Sequence, residues 1–78
     1  MANRSKISIN LKVSKAVEKQ WIRYYPSNRS FATAHDIDEK TVRRILSDES
    51  YSMTIETLEK ICSAEGMKLS DFFKLINR

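Results

Sequence analysis

Asn28-Arg29-Ser30-Phe31-Ala32-Thr33-Ala34-His35-Asp36-Ile37-Asp38-Glu39-Lys40-Thr41-Val42-Arg43-Arg44-Ile45-Leu46-Ser47 is the stretch whose reading decides the fold. Phe31 and Ala32, then Val42, Ile45 and Leu46, fall at helical spacing on either side of Asp36-Ile37. That pattern predicts two short helices, Asn28 to His35 and Glu39 to about Ser47, joined by a tight turn. Ser27 and Asp38 stand one residue ahead of each, where a short oxygen-bearing side chain accepts an orphan helix N–H. Two helices that cross closely need a small residue at the approach, and Ala32 supplies it. The turn needs a residue that tolerates positive φ, usually glycine. Asp36 holds that place, and Asp is one of the few other residues that visits this region.

Upstream, Ser14 is positioned to cap a first helix from about Lys15 to Tyr25, with Val17, Trp21 and Tyr24 inward and Pro26 as its stop. Downstream, residues 47–53 form a polar loop. Thr54 caps a fourth helix with Ile55, Leu58, Ile61 and Cys62 inward, and Gly66 suits its left-handed end. Ser70 caps a fifth helix carrying Phe72, Phe73 and Ile76. Residues 7–13, Ile-Ser-Ile-Asn-Leu-Lys-Val, alternate apolar and polar, the period of a strand with one buried face. A lone strand needs a partner, so it would pair with a second chain. The competing reading runs the first helix back through Leu11. The expected organisation is an N-terminal arm over 1–13, a short strand or dimerisation segment, and an all-α, five-helix domain over 14–78.

The 78 residues suffice for one domain. Net charge is +4 and unevenly spread. Residues 1–46 hold ten Lys/Arg against four Asp/Glu, whereas residues 47–78 hold four against six. The positive excess lies in the half that holds the paired helices, which suits a polyanion such as a phosphate backbone. No apolar run is long enough for a bilayer, and the opening Met-Ala-Asn-Arg-Ser-Lys lacks a secretory apolar stretch. One cysteine, Cys62, makes no internal disulfide. A cytoplasmic, nucleoid-associated protein is the expectation. No catalytic residues, cofactor or metal site are expected. One His and one Cys do not supply a zinc ligand set, and one Gly does not build a phosphate loop. His35 reads as a packed residue near a helix C-terminus, and Cys62 as a small core hydrophobe.

Two short helices with a basic second helix are the pattern of a helix-turn-helix, whose second helix enters the DNA major groove. From Ser27 to Phe73 the chain resembles the Cro and phage-repressor family, often called the xenobiotic-response-element family. Ser27-Asn28, Phe31-Ala32, Asp36-Ile37-Asp38 and Thr41-Val42-Arg43-Arg44-Ile45 follow its pattern. Met53-Thr54-Ile55-Glu56-Thr57-Leu58 and Glu65-Gly66-Met67-Lys68-Leu69-Ser70-Asp71-Phe72-Phe73 continue it. Asp36 replaces the family's glycine. Leu46 and Trp21 stand where an acid and an arginine often pair, so an apolar Trp21–Leu46 contact is expected. Asp48 and Glu49 put acid where phosphate contacts often lie.

The resemblance implies a lambda-repressor-like fold and a sequence-specific binder of double-stranded DNA, a repressor or autoregulator acting as a homodimer on a pseudo-palindromic operator. Base-reading positions carried over are Glu39, Lys40, Thr41, Arg43 and Arg44. Lys40 and Arg44 suit guanine O6/N7, and Glu39 suits cytosine N4. Phosphate contacts fall to Ser27, Asn28 and Arg29, and in the loop to Ser50, Tyr51 and Ser52. Dimerisation would use Ile7, Ile9 and Leu11 or Phe72, Phe73 and Ile76. No small-molecule ligand and no membrane are implied. The other class is a protein-interaction module of the same fold, an antitoxin or adaptor with a protein partner.

Overall fold

The computed structural model describes residues 9–48 and 50–77. Five α-helices follow in order, with no strand among the described residues: α1 (Ile9–Gln20), α2 (Asn28–His35), α3 (Glu39–Ser47), α4 (Ile55–Ala64) and α5 (Leu69–Ile76). A 3₁₀ turn, Ile22–Tyr24, links α1 to α2. All five helices close on one core, built around the fully buried Val17, Phe31, Val42, Ile61 and Phe72.

The N-terminal half corrects the sequence reading most. Residues 9–13 are helical, so the strand expected over 7–13 does not form there; Ile7 lies outside the described residues. The alternation misleads because a helix turns two-residue steps through about 200°. Leu11 accordingly lies on the opposite side and is half-buried, while Ile9 and Val13 share a face; Val13 is buried, and Ile9, at the first position of α1, is exposed. Ser14 is not a cap. It sits mid-helix beside Val13 and Val17, buried, and its hydroxyl makes no hydrogen bond. The helix also stops earlier than expected, at Gln20. The tighter 3₁₀ turn that follows changes the angular phase. Ile22 therefore turns inward and Tyr24 stands 74% exposed, so the inner face expected at Tyr24 belongs to Ile22 and Tyr25.

Trp21 stacks on Phe72, ring centroids 5.8 Å apart. Leu46 is 37% exposed and borders a shallow recess with Leu11, Lys15 and Glu18. Ile55, expected inward, is exposed, and α4 packs through Leu58, Ile61 and Cys62. Burial holds the Cys62 thiol above its ordinary pKa, keeping it a neutral apolar filler. Thr54 caps α4 as expected, accepting from the Thr57 N–H at 3.0 Å. The fifth helix begins one residue before Ser70, with Lys68 in the cap position and no side-chain cap.

Two helices end in the same way. The Ile37 and Asp36 amides donate to Ala32 and Thr33 carbonyls, and the Met67 and Gly66 amides donate to Cys62 and Ser63 carbonyls. Both are Schellman ends, with the turning residue left-handed. Gly66 takes φ 77°, and Asp36 takes φ 57°. Lys60 on α4 donates to the Asp36 carbonyl at 3.2 Å and faces its carboxylate at 3.8 Å, tying the turn to α4. A side chain in this backbone region costs about 1–2 kcal/mol. Asp36→Gly is therefore expected to raise unfolding stability by about 0.5–1 kcal/mol, because the exposed Lys60 pair contributes little and the carbonyl bond survives. A urea melt that showed lower stability would refute the strain.

Candidate nucleic-acid interface

The paired helices α2 and α3 pack against each other, with Phe31 and Ala32 meeting Val42 and Ile45 in the core. Burial of Val42 and Ile45 fixes the rotation of α3. Positions 40, 43 and 44 are thereby turned to solvent. Asp38 occupies the cap position of α3 as expected, but its side chain makes no capping bond. Its carbonyl takes the Thr41 and Val42 amides instead.

The outward face of α3 is partly self-neutralised. Glu39 reaches Arg43 one turn along at 3.2 Å and Arg29 of α2 at 3.9 Å. Arg44 lies over the Tyr51 ring, 4.8 Å from its centroid, and 3.6 Å from Asp48. Lys40 has no ion-pair partner among the described residues. Thr41 is half-buried at the edge of the face. All five expected base-reading residues thus share α3, three of them exposed cations.

The phosphate candidates divide. Ser27 and Ser30 form a reciprocal capping box: the Ser30 amide donates to the Ser27 hydroxyl at 3.1 Å, and the Ser27 amide to the Ser30 hydroxyl at 3.2 Å. The box commits Ser27 to the helix end. The amides of Asn28 and Arg29 have no acceptor inside α2 and sit where its dipole favours an anion. Arg29 extends beside them, 82% exposed.

In the loop, Ser50 donates to Asp48 from its hydroxyl at 2.7 Å and from its amide at 3.0 Å. These bonds, ahead of nearby Arg44, hold the Asp48 carboxyl below the usual carboxylate range. Ser50 is therefore engaged as a loop clamp. Tyr51 is half-buried under Arg44, its phenol pushed up by burial although Arg44 pulls the other way. Ser52 is exposed, with its hydroxyl 3.5 Å from Asn10 of α1.

Of the dimerisation candidates, Phe72 is wholly buried and belongs to the core, a correction to the surface role expected of it. Ile9 is exposed, Leu11, Phe73 and Ile76 are half-buried, and Ile7 lies outside the described residues. The ties Arg29–Glu39, Arg44–Tyr51 and Lys60–Asp36 were missed by sequence reasoning. Only Glu39–Arg43 and Arg44–Asp48 carry a local signal, the four-residue spacing of a helical ion pair.

A second polar cluster lies behind α2. His35 is buried, with Nδ1 2.7 Å from the Phe31 carbonyl and Nε2 2.5 Å from Glu65 Oε2. The Tyr25 hydroxyl donates to the same carboxylate oxygen at 2.9 Å. This bond, with burial and the carboxylate's charge, raises the Tyr25 pKa above 10.0. The expectation that His35 is a packed residue is met, and Glu65 is the partner that the sequence did not reveal.

A short helix pair with a locked inner face, a cationic outer face and an anion-receptive helix start is a nucleic-acid-docking helix-turn-helix. The family model of the Cro/C1-type HTH DNA-binding domain matches residues 23–77, more than half of the chain, and the protein belongs to that family. It carries a DNA-binding domain of the kind found in DNA-binding regulators. No curated protein and no solved structure matches the chain.

Proposed function

We propose that this protein is a sequence-specific transcriptional repressor or autoregulator that binds a pseudo-palindromic operator as a homodimer at the nucleoid. The observation that carries the reading is the rotation of α3: with Val42 and Ile45 buried, Lys40, Arg43 and Arg44 all project outward. Lys40 and Arg44 address guanine O6/N7, with Thr41 and Arg43 beside them. Glu39 holds Arg29 and Arg43 in register and is placed to accept from cytosine. Asn28 and Arg29 take a phosphate at the start of α2, and Tyr51 and Ser52 supply a second backbone contact from the loop. Two such modules would sit with half-site centres roughly 34 Å apart, one duplex turn. The self-contact falls to Ile9 and Phe73, which are neither buried in the core nor part of the groove described below.

Selection of bound duplexes from a random pool tests the reading. The expected result is an inverted repeat with one-turn spacing. Affinity for that site is expected to fall by about 10³ or more between about 50 and 200 mM salt, as for six or more phosphate contacts. A pool that yields no enriched sequence, with binding no tighter than to arbitrary duplex, would overturn sequence specificity.

A further inference from the structure

Between α1 and α5 opens a groove of about 420 Å³. Leu11 and Ala16 of α1 and Leu75 and Ile76 of α5 give it apolar walls. Lys12, Lys15 and Lys19 stand along one side. Their spacing of three and then four residues puts them in a row on one face of α1, over about 10 Å of helix. None of the three has an ion-pair partner among the described residues. No carboxylate lines the groove among the described residues; Glu18 borders the neighbouring recesses instead. The groove is separate from the reading face. None of Lys40, Arg43 and Arg44 lines it, and α1 borders α3 on the side of Ile45 and Leu46.

We propose that this groove is the docking site for an acidic amphipathic helix of a partner protein. Apolar residues of that helix, three and four apart, would rest on Leu11, Ala16, Leu75 and Ile76. Carboxylates along its flank would face Lys12, Lys15 and Lys19, as flanking charges do in paired helices. Charge decides the occupant. A second copy of this chain seated here by a two-fold axis brings the same patch onto itself. It would set one lysine row near the other with no carboxylate from either groove to offset it. A partner carrying carboxylates neutralises the row and buries the apolar walls together.

The test uses the full chain and two fluorescein-labelled synthetic helical peptides, read by fluorescence anisotropy at low salt. Both have leucines three and four residues apart; one carries glutamates at the remaining positions, the other lysines. The glutamate peptide is expected to bind at least about tenfold more tightly than the lysine peptide, the sum expected of three exposed ion pairs. Joint charge reversal, Lys12→Glu, Lys15→Glu and Lys19→Glu, is expected to abolish that preference while circular dichroism stays unchanged. Arg44→Ala is expected to leave peptide binding alone, so loss of DNA recognition and loss of peptide docking are read separately. Equal binding of the two peptides, or undiminished glutamate-peptide binding by the charge-reversed variant, would overturn the proposal. So would lysine-dependent capture by phosphatidylserine vesicles without peptide binding.

Discussion

Glu65→Ala is expected to lower unfolding stability by about 3 kcal/mol or more, a large share of what a domain this small possesses. The reason is a proton count. His35 Nδ1 faces a carbonyl and Nε2 faces a carboxylate, both acceptors. Two hydrogens must therefore be shared by the His35–Glu65 pair, either as imidazolium with carboxylate or as neutral imidazole with carboxylic acid. The His35 side chain is fully buried, and Glu65 Oε2 is the partner of its Nε2. Removing that carboxylate strands the buried His35 Nε2, and an unmet buried polar group costs more than an average hydrogen bond gains.

Glu65→Gln should cost less than half as much. An amide nitrogen in the place of Oε2 can donate one hydrogen to a neutral imidazole and its other to the Tyr25 hydroxyl oxygen. Tyr25→Phe loses one hydrogen bond, about 1 kcal/mol. Urea melts followed by circular dichroism order the three variants, and a loss under about 1 kcal/mol for Glu65→Ala would refute the account. The Tyr25 pKa is raised above 10.0 in the folded chain. Its contribution is fully present below the unfolded value and is lost as pH rises through the folded one. Tyr25→Phe should remove that part of the alkaline instability. The cluster also bears on function, because Glu65 follows α4 and His35 ends α2, so the bond helps seat the helix pair.

Arg44→Ala is expected to flatten base preference at one operator position and to cost about 1–3 kcal/mol of specific binding. Arg44 is exposed on α3, and its neighbours Asp48 and Tyr51 lie in the segment that follows, so truncation leaves the core intact. Arg29→Ala should weaken binding to every sequence alike and reduce the salt dependence by about one phosphate contact per half-site. Competition gel shifts with operator variants, repeated across salt, separate the two. If Arg44→Ala left the preference intact, the reading register on α3 would be wrong. Asp48 adds a feature of this chain. Its carboxylate lies 3.6 Å from Arg44, so under the proposed reading Arg44 would share or exchange that partner on engaging a base.

The parts legible in the sequence are those whose signals are local. The limits of α2 follow from Ser27 and Asp36, because a cap and a left-handed turn are chosen by residue type within a few positions; α3 starts after Asp38 as read, although that side chain makes no capping bond. The outward placement of Lys40, Arg43 and Arg44 follows from the helical period of Val42 and Ile45. Gly66 marked the end of α4 for the same reason. α1 was misread because Ile7 to Val13 satisfies a two-residue period in the sequence. What selects the helix is the burial of Val13 and Val17 against the other helices, a non-local term.

The sequence by itself determined a helix pair with a cationic outer face, since periodicity and capping act along the chain. Only the tertiary structure decided who meets whom across it. Trp21 found Phe72, His35 found Glu65, Arg29 found Glu39, and Lys60 found Asp36. Each such pair is chosen by packing of the core, which sets distances between residues that no local pattern relates. The groove of α1 and α5 belongs with these. Its lysine row is local to α1, but its apolar walls need Leu75 and Ile76 brought in from the far end of the chain.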